Sequence, residues 1–247
     1  MKVAILSDIH GNLEALKTVL ADISGMGVNR IYCLGDIVGY GPYPSECLEL
    51  IRRYATVIIG GNHEEMTCNF IEWQTKLINF AALKGIEHAL KNLSTEQLDF
   101  LKRLSDKMDL TDLDMTLVHG GFAQPHRWGY IDLWQEAKEH LTFFSSKTGV
   151  CGHTHKPFLF IPCYDEFFRK SVEGIVFDRN ERVIVNVGSV GQPRDGDPRA
   201  SYGLFEYTDK SVSLSIIRLA YDIEKTVKAI KDAQLPERTG QRLFEGR

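Results

Sequence analysis

The chain has 247 residues, 43% of them hydrophobic, and 33 Asp and Glu against 29 Lys and Arg give a formal net charge of −4. That length can bury one large core of the α/β kind, and the mild acidity gives no support for unspecific binding to long nucleic acid or to an anionic membrane, which favours a basic face. The five cysteines (33, 47, 68, 151 and 163) contain no Cys-x-x-Cys pair and point to a reduced, cytoplasmic setting.

The opening MKVAILSD holds one lysine and an apolar run too short for a signal-peptide core or a membrane span, so residues 3–6 read as a first strand. Leu13, Leu16, Leu20 and Ile23 then recur at helical spacing behind an N-cap at Asn12, and Gly25 and Gly27 close that helix. Strands at 31–34 and 56–59 flank a helix at 45–53. This β-α-β-α-β order predicts parallel strands joined by right-handed crossovers. Residues 64–104 read as helical with breaks, and Ser94-Thr95-Glu96-Gln97 is a capping-box signature. A strand at 115–118, a Gly/Pro/aromatic loop at 120–130, a helix near 133–144 with His140 on its solvated face, and a strand at 148–151 follow. Short β runs at 158–161, 183–187, 202–207 and 212–219 precede a last helix at 222–233 and a polar tail at 240–247. No repeat or linker interrupts the chain, so one domain is expected over 1–247.

The polar residues that end the apolar runs are the informative ones. Successive runs stop at Asp8-Ile9-His10-Gly11, Gly35-Asp36, Gly60-Gly61-Asn62-His63-Glu64, His119-Gly120 and Gly152-His153-Thr154-His155. Parallel strands line up their C-terminal ends along one edge, where ligands bind in open α/β sheets. Two Asp, one Asn and up to five His would meet there. Core packing does not account for them, because Asp and Asn are poor strand formers and a buried unpaired carboxylate is costly. The set exceeds the needs of one four-coordinate zinc and suits two cations that share a carboxylate. Imidazole, amide and carboxylate without thiolate fit Mn, Fe, Zn, Co or Ni better than Mg or Ca. Two such ions, about 3.5–4 Å apart, clamp the attacking and leaving oxygens of an in-line displacement, which is the chemistry of phosphoryl ester hydrolysis.

These five motifs, in this order, resemble those of the calcineurin-like metallophosphoesterases, and 186–194 (NVGSVGQPR) resembles the compact prokaryotic phosphodiesterase branch of that superfamily. The resemblance implies a four-layer α/β/β/α sandwich of two mixed β-sheets flanked by helices. Position by position, it implies that Asp8, His10, Asp36 and His155 hold one divalent ion, and that Asp36 bridges to a second held by Asn62, His119 and His153. Manganese is the ion expected at both. It also implies a catalytic role for His63 at the leaving oxygen or the phosphoryl group, and a metal-bridging hydroxide as nucleophile. Glu64 is expected either to open a helix or to support a ligand residue, and Cys151 is left without a ligand role. The bridging aspartate is followed here by Ile37-Val38-Gly39-Tyr40-Gly41 and not by the Asp-Arg-Gly of protein serine/threonine phosphatases.

The activity expected is therefore hydrolysis of small phosphodiesters or nucleotides. The alternatives are a phosphomonoesterase, including a protein-phosphatase-like one, and a dinucleoside polyphosphate hydrolase. A small phosphate ester is the expected partner, with no membrane and no long nucleic acid. Arg194, His126 and Arg127, on loops at 191–199 and 121–130, are candidate substrate contacts, since guanidinium groups bind phosphate oxygens in a fork geometry.

Overall fold

The computed structural model describes residues 1–73, 79–162, 166–168 and 172–247; Cys163 and residues 74–78 of the helical stretch lie outside them. In chain order the elements are β1 (Lys2–Leu6), α1 (Leu13–Gly25), β2 (Arg30–Cys33), α2 (Pro44–Tyr54), β3 (Val57–Ile58), α3 (Asn62–Cys68), α4 (Phe70–Trp73), α5 (Phe80–Asn92) and α6 (Thr95–Leu101). There follow β4 (Lys107–Leu110), β5 (Met115–Val118), α7 (Trp134–His140), β6 (Thr148–Cys151), β7 (Phe158–Ile161), β8 (Glu166–Phe168) and β9 (Ile175–Asp178). The chain ends with β10 (Val183–Asn186), β11 (Ala200–Tyr207), β12 (Ser211–Leu219), α8 (Ile223–Asp232) and α9 (Glu237–Glu245).

The described strands form two six-stranded sheets, ordered β3-β2-β1-β11-β12-β9 and β4-β5-β6-β10-β7-β8. The first three strands run parallel, as the βαβαβ order requires, and β11 joins β1 antiparallel to make that sheet mixed. The second sheet is mixed as well, with β5, β6 and β10 parallel and β4 and β7 antiparallel at their flanks. Side chains alternate along β1. Val3 and Ile5 enter the core between the sheets, where they meet Met115, Leu117, Val150 and Val185 of the second sheet. Ala4 and Leu6 point the other way, into a core built with Leu16, Val19, Leu48 and Ile51 of α1 and α2. On the far side of the second sheet Val118, Phe158, Phe160 and Ile184 pack against Phe122, Ile131 and Ala137, from the 121–131 loop and α7. The result is the four-layer α/β/β/α sandwich.

Four differences from the sequence reading have physical causes. The edge strand β4 alternates exposed Lys107 and Asp109 with half-buried Met108 and Leu110, and such charged edges carry little apolar signal. Strands β8 and β9 are short and lie at sheet edges. The stretch 240–247, expected as a polar tail, is largely helical: α9 buries Thr239, Gly240 and Leu243, and Leu243 joins Ile230 and Leu235 in a small core of its own with α8. His140, expected on a solvated helix face, is half-buried and accepts a hydrogen bond from the Phe122 backbone at 2.9 Å, which ties the 121–130 loop to α7. No helix among the described residues is long and apolar enough to cross a membrane.

Asn12 caps α1 as expected, and does more. Its Oδ1 accepts from the Ala15 backbone at 3.2 Å and from Thr226 of α8 at 3.1 Å, while Nδ2 donates to the Gly191 carbonyl at 2.8 Å and the Tyr221 hydroxyl at 3.1 Å. This buried amide locks α1, α8 and the 191 loop together. Asn12→Ala removes the cap and strands its partners, and is expected to lower unfolding stability by about 2 kcal/mol, read from urea titration of both proteins.

Candidate metal centre

The C-terminal ends of β1, β2 and β3 in one sheet and of β5 and β6 in the other open onto a common edge. The backbone zips their turns together. His10 N–H donates to the Asp36 carbonyl at 2.8 Å, Asp8 N–H to Gly35 at 3.1 Å, Gly152 N–H to His119 at 2.9 Å, and Gly191 N–H to Asp8 at 3.0 Å. Turning a strand end this sharply forces Asp8, His10, Asp36, His153 and His155 into the left-handed region, at φ of 55°, 49°, 50°, 66° and 59°. Each such residue costs about 1 kcal/mol relative to ordinary backbone, and strain of this kind gathers at functional sites.

All of Asp8, His10, Asp36, His63, His119, His153 and His155 are buried, and Asn62 is half-buried. Three groupings bring potential ligand atoms within 4.8 Å of one another: Asp8 with His10 and His155; Asp36 with His119 and His153; and His10 with Asp36 and His63. Asp36 stands in two of the three. Its Oδ2 lies 3.6 Å from His10 Nε2 and 3.3 Å from His119 Nε2, while its Oδ1 accepts the His63 backbone N–H at 2.8 Å. Asp8 Oδ1 lies 3.2 Å from His155 Nε2, and Asp8 Oδ2 accepts the His153 backbone N–H at 3.0 Å. Asn62 Oδ1 is 3.2 Å from His119 Nε2, and His153 Nδ1 is 3.2 Å from the same nitrogen.

Ring tautomers follow from the backbone. His10 Nδ1 faces the Val38 carbonyl at 3.2 Å, His119 Nδ1 faces Leu34 at 2.8 Å, and His155 Nδ1 faces Gln192 at 2.5 Å. A carbonyl only accepts, so each Nδ1 carries a proton, and in the neutral ring that binds a metal each Nε2 presents a lone pair. The consequence is that acceptors confront acceptors. His10 Nε2 and His155 Nε2 are 3.1 Å apart, and His119 Nε2 faces Asn62 Oδ1 and Asp36 Oδ2 together. Among the described residues Asp8 Oδ1 and His63 Nδ1 are buried with no hydrogen-bond partner. Bound cations satisfy such a set at once, so the residues fit a divalent metal centre.

The charges are mutually dependent. Burial pushes the Asp36 carboxyl up, but the His119 and His63 rings outweigh it and hold Asp36 well below the usual carboxylate range. Asp8 is held down in the same way, against burial, by His155 and His119. Burial drives His153 down to about 3 with help from His119, whereas at His119 the Asp36 carboxylate overcomes burial and raises the ring to about 9, so that without a metal a proton on Nε2 takes the place between them that a cation would fill.

Glu64 performs both of the roles open to it. It sits in the first turn of α3, and its buried carboxylate accepts N–H groups from Gly61 at 2.8 Å, Asp36 at 2.7 Å, Ile37 at 2.8 Å and Val38 at 3.2 Å. It thus clasps the turn that presents Asp36. Asn186 does the same for the last motif, donating to the Gly152 carbonyl at 2.6 Å and Thr154 Oγ1 at 3.1 Å. Cys151 is buried behind that turn, 3.7 Å from Asn186 Nδ2, with its thiol pushed up by burial.

Of the candidate substrate contacts, Arg194 reaches the centre and the other two do not. Arg194 N–H donates to the His155 carbonyl at 3.2 Å, and its guanidinium lies 5.8 Å from the Tyr40 ring. His126 and Arg127 are exposed on a short 3-10 turn, Pro125–Arg127. The 121–130 loop instead contributes aromatic rings: Trp128 stands edge-on 5.7 Å from His119, and Tyr130 lies 4.3 Å from His153. Tyr40 is the third, 4.9 Å from His10 and 4.7 Å from His63. Its neighbour Gly39 has φ +88°, and a Cβ there would sit 2.1 Å from His63 Nδ1, so only glycine allows this approach. The Gly39-Tyr40-Gly41 triplet was the available signal for Tyr40; nothing local distinguishes Trp128 or Tyr130 from loop aromatics.

Residues 1–210 match the calcineurin-like phosphoesterase superfamily domain. An uncharacterized protein of Methanocaldococcus jannaschii is 35% identical over 255 residues, which span 99% of this chain and 98% of that one. Among solved structures, a metallophosphoesterase from Sphaerobacter thermophilus superposes with a TM-score of 0.86 at 36% identity, covering 100% of both chains. A hypothetical protein from Pyrococcus horikoshii OT3 has the same fold, with a TM-score of 0.81 at 20% identity over 100% of this chain and 98% of that one. Together with the edge at which five motif-bearing strands meet, these likenesses fix the family: the chain belongs to the calcineurin-like phosphoesterase superfamily and is a phosphoric ester hydrolase.

Proposed function

We propose that the chain is a di-metal phosphodiesterase of small phosphodiesters or nucleotides, with Asp8, His10, Asp36 and His155 holding one ion and Asp36, Asn62, His119 and His153 the other. The observation that carries this reading is the group of imidazole lone pairs and carboxylate oxygens facing one another without donors. The nitrogen and oxygen donors suit manganese, our assignment, and also iron, zinc, cobalt or nickel. When bound, such an ion pair acidifies water to provide the nucleophile and draws charge from the phosphoryl oxygens.

The chain's own groups do the rest. His63 is anchored through its backbone to Asp36 and packs against both His10 and Tyr40, with ring centroids 4.7 Å from each. Burial pushes the ring down to about 4 against the pull of Asp36, so the neutral form prevails and offers one N–H to the leaving oxygen or the phosphoryl group. Arg194 directs a guanidinium at the phosphate from the other side of Tyr40. Its charge is felt at His63, His155 and Tyr130. Tyr40, Trp128 and Tyr130 line the approach with rings. A second guanidinium, Arg242, is near enough to feel both Arg194 and Tyr40. The aromatic walls suit a phosphodiester, which carries an organic group on either side of the phosphate. The free thiols of Cys33, Cys47, Cys68 and Cys151 agree with a cytoplasmic setting.

Reconstituted with manganese, the protein is expected to hydrolyse an aryl phosphodiester with kcat/KM at least about tenfold above that for the matching aryl phosphomonoester. Paired initial-rate assays decide this. A preference for the monoester overturns the diester assignment in favour of a phosphomonoesterase.

A further inference from the structure

The turn that carries His153 and His155 continues into Lys156 and Pro157, and these two residues form one wall of a cleft of about 860 Å³ beside the metal centre. Arg194 lies on the boundary between them: it lines the cleft, and it touches the centre through the His155 carbonyl and the Tyr40 ring. A volume of this size is in the range of sites that enclose a drug-sized ligand. It is far more than the phosphoryl group needs.

The lining specifies what fits. Val172 and Ile216, packed together at the edge of the core between the sheets, give it apolar surface. Its cations are mostly spent: Arg199 pairs with Asp197 at 2.6 Å, Arg218 pairs with Asp195, and Lys156 pairs with Asp132 at 3.1 Å. Arg194 has only the Gln192 amide oxygen, at 2.7 Å, and no carboxylate among the described residues. The cleft thus offers one unpaired guanidinium at its inner end, next to where the phosphate sits. Beyond it lie apolar side chains and carboxylates that accept hydrogen bonds from hydroxyl groups. A second phosphate would meet Asp195, Asp197 and Glu173, with no further uncommitted cation among the described residues of the lining.

We infer that this cleft is the subsite for a neutral nucleoside arm of the substrate, with the base against Ile216 and Val172, the sugar hydroxyls toward the Asp195 and Asp197 carboxylates, and Arg194 at the phosphate. The inference rests on the phosphodiesterase reading for the phosphate's position, and it narrows the substrates to nucleotide diesters. It also gives the 191–199 loop its function, because one segment supplies both the phosphate contact and a side of the nucleoside site.

Calorimetric titration of the manganese-loaded protein with two non-hydrolysable ligands tests it: methylphosphonate, and the 5′-methylenephosphonate isostere of AMP. The nucleoside compound is expected to bind at least about tenfold tighter, which corresponds to burying roughly 60 Å² of apolar surface. Ile216→Trp fills the cleft and is expected to bring the ratio of the two affinities toward one. If that variant does not fold, Ile216→Ser is expected to reduce the ratio about threefold by removing the apolar contact. Equal binding of both ligands by the wild-type protein overturns the inference, as does an undiminished ratio in the folded variants, or tripolyphosphate binding more tightly than the nucleoside compound. The two readings fail separately. A high ratio with no diester hydrolysis removes the phosphodiesterase assignment and leaves the nucleoside subsite standing, whereas diester hydrolysis with a ratio of one removes the subsite alone.

Discussion

Asp36→Asn is expected to lose both metal ions together and to lower kcat by at least about 1,000-fold, the equivalent of about 4 kcal/mol of transition-state stabilisation. The reason is the position of Asp36 at the junction of the two ligand groups, with Oδ2 facing both His10 and His119. The substitution is nearly isosteric. Its carbonyl oxygen keeps the bond from His63 N–H, while its neutral amide gives up the pairing with His119 that holds the Asp36 carboxyl down. The variant is therefore expected to fold but to melt, without metal, moderately below the wild-type apoprotein. What disappears is the rise in Tm on adding manganese, because a ligand that binds only the native state stabilises it by mass action. Elemental analysis and a melting curve with and without manganese separate loss of the centre from loss of the fold. Normal occupancy of both sites would show that Asp36 is not shared.

His63→Ala is expected to behave in the opposite way, retaining two metals while kcat falls by about 100- to 1,000-fold, as for removal of a single positioned proton-handling group. Although His63 approaches His10 and Asp36 closely enough to be a ligand by distance, seven other side chains complete the proposed set. Its Nδ1 lies buried without a hydrogen-bond partner, beside Gly39, and its ring packs on Tyr40 as closely as on His10 and feels the charge of Arg194. Metal content measured on the same preparation used for kinetics checks both halves of the expectation. Full activity removes His63 from the mechanism; loss of one ion moves it into the ligand set.

The centre was legible in the sequence because its residues contradict their surroundings. Asp8, Asp36 and His119 each terminate a run of buried apolar residues, where packing alone would continue with valine or leucine, and a carboxylate placed there requires a partner. That the five strand ends belong to two different sheets followed only from the family resemblance; the period of the apolar runs is the same in either arrangement. The left-handed backbone at Asp8, His10 and Asp36 had no local signal, since it is imposed by the bonds that zip one turn to the next.

What the sequence left obscure is long-range or amphipathic in a weak sense. Helix α9 carries Glu237, Arg238, Arg242 and Glu245 around a central Gly240, a poor helix former, and reads as a solvated tail. It folds because Gly240 lets it pack closely on Val227 of α8, 3.2 Å from where a Cβ would lie, and because Leu243 has a small core to enter. Arg127 and His126 had the right chemistry on the right loop, yet it is the rings of Trp128 and Tyr130 that the loop brings against the histidines, while Arg127 and His126 stay exposed. In a loop, composition indicates which residue types are available, and the tertiary contacts of Trp128 and Tyr130 decide which of them face the centre.

The central claim is that one constellation holds two ions. It is tested most directly by counting manganese bound per chain after metal removal, reconstitution and gel filtration, with protein concentration fixed by amino-acid analysis. The account predicts two ions per chain for the wild-type protein; one ion per chain, or none, would contradict it.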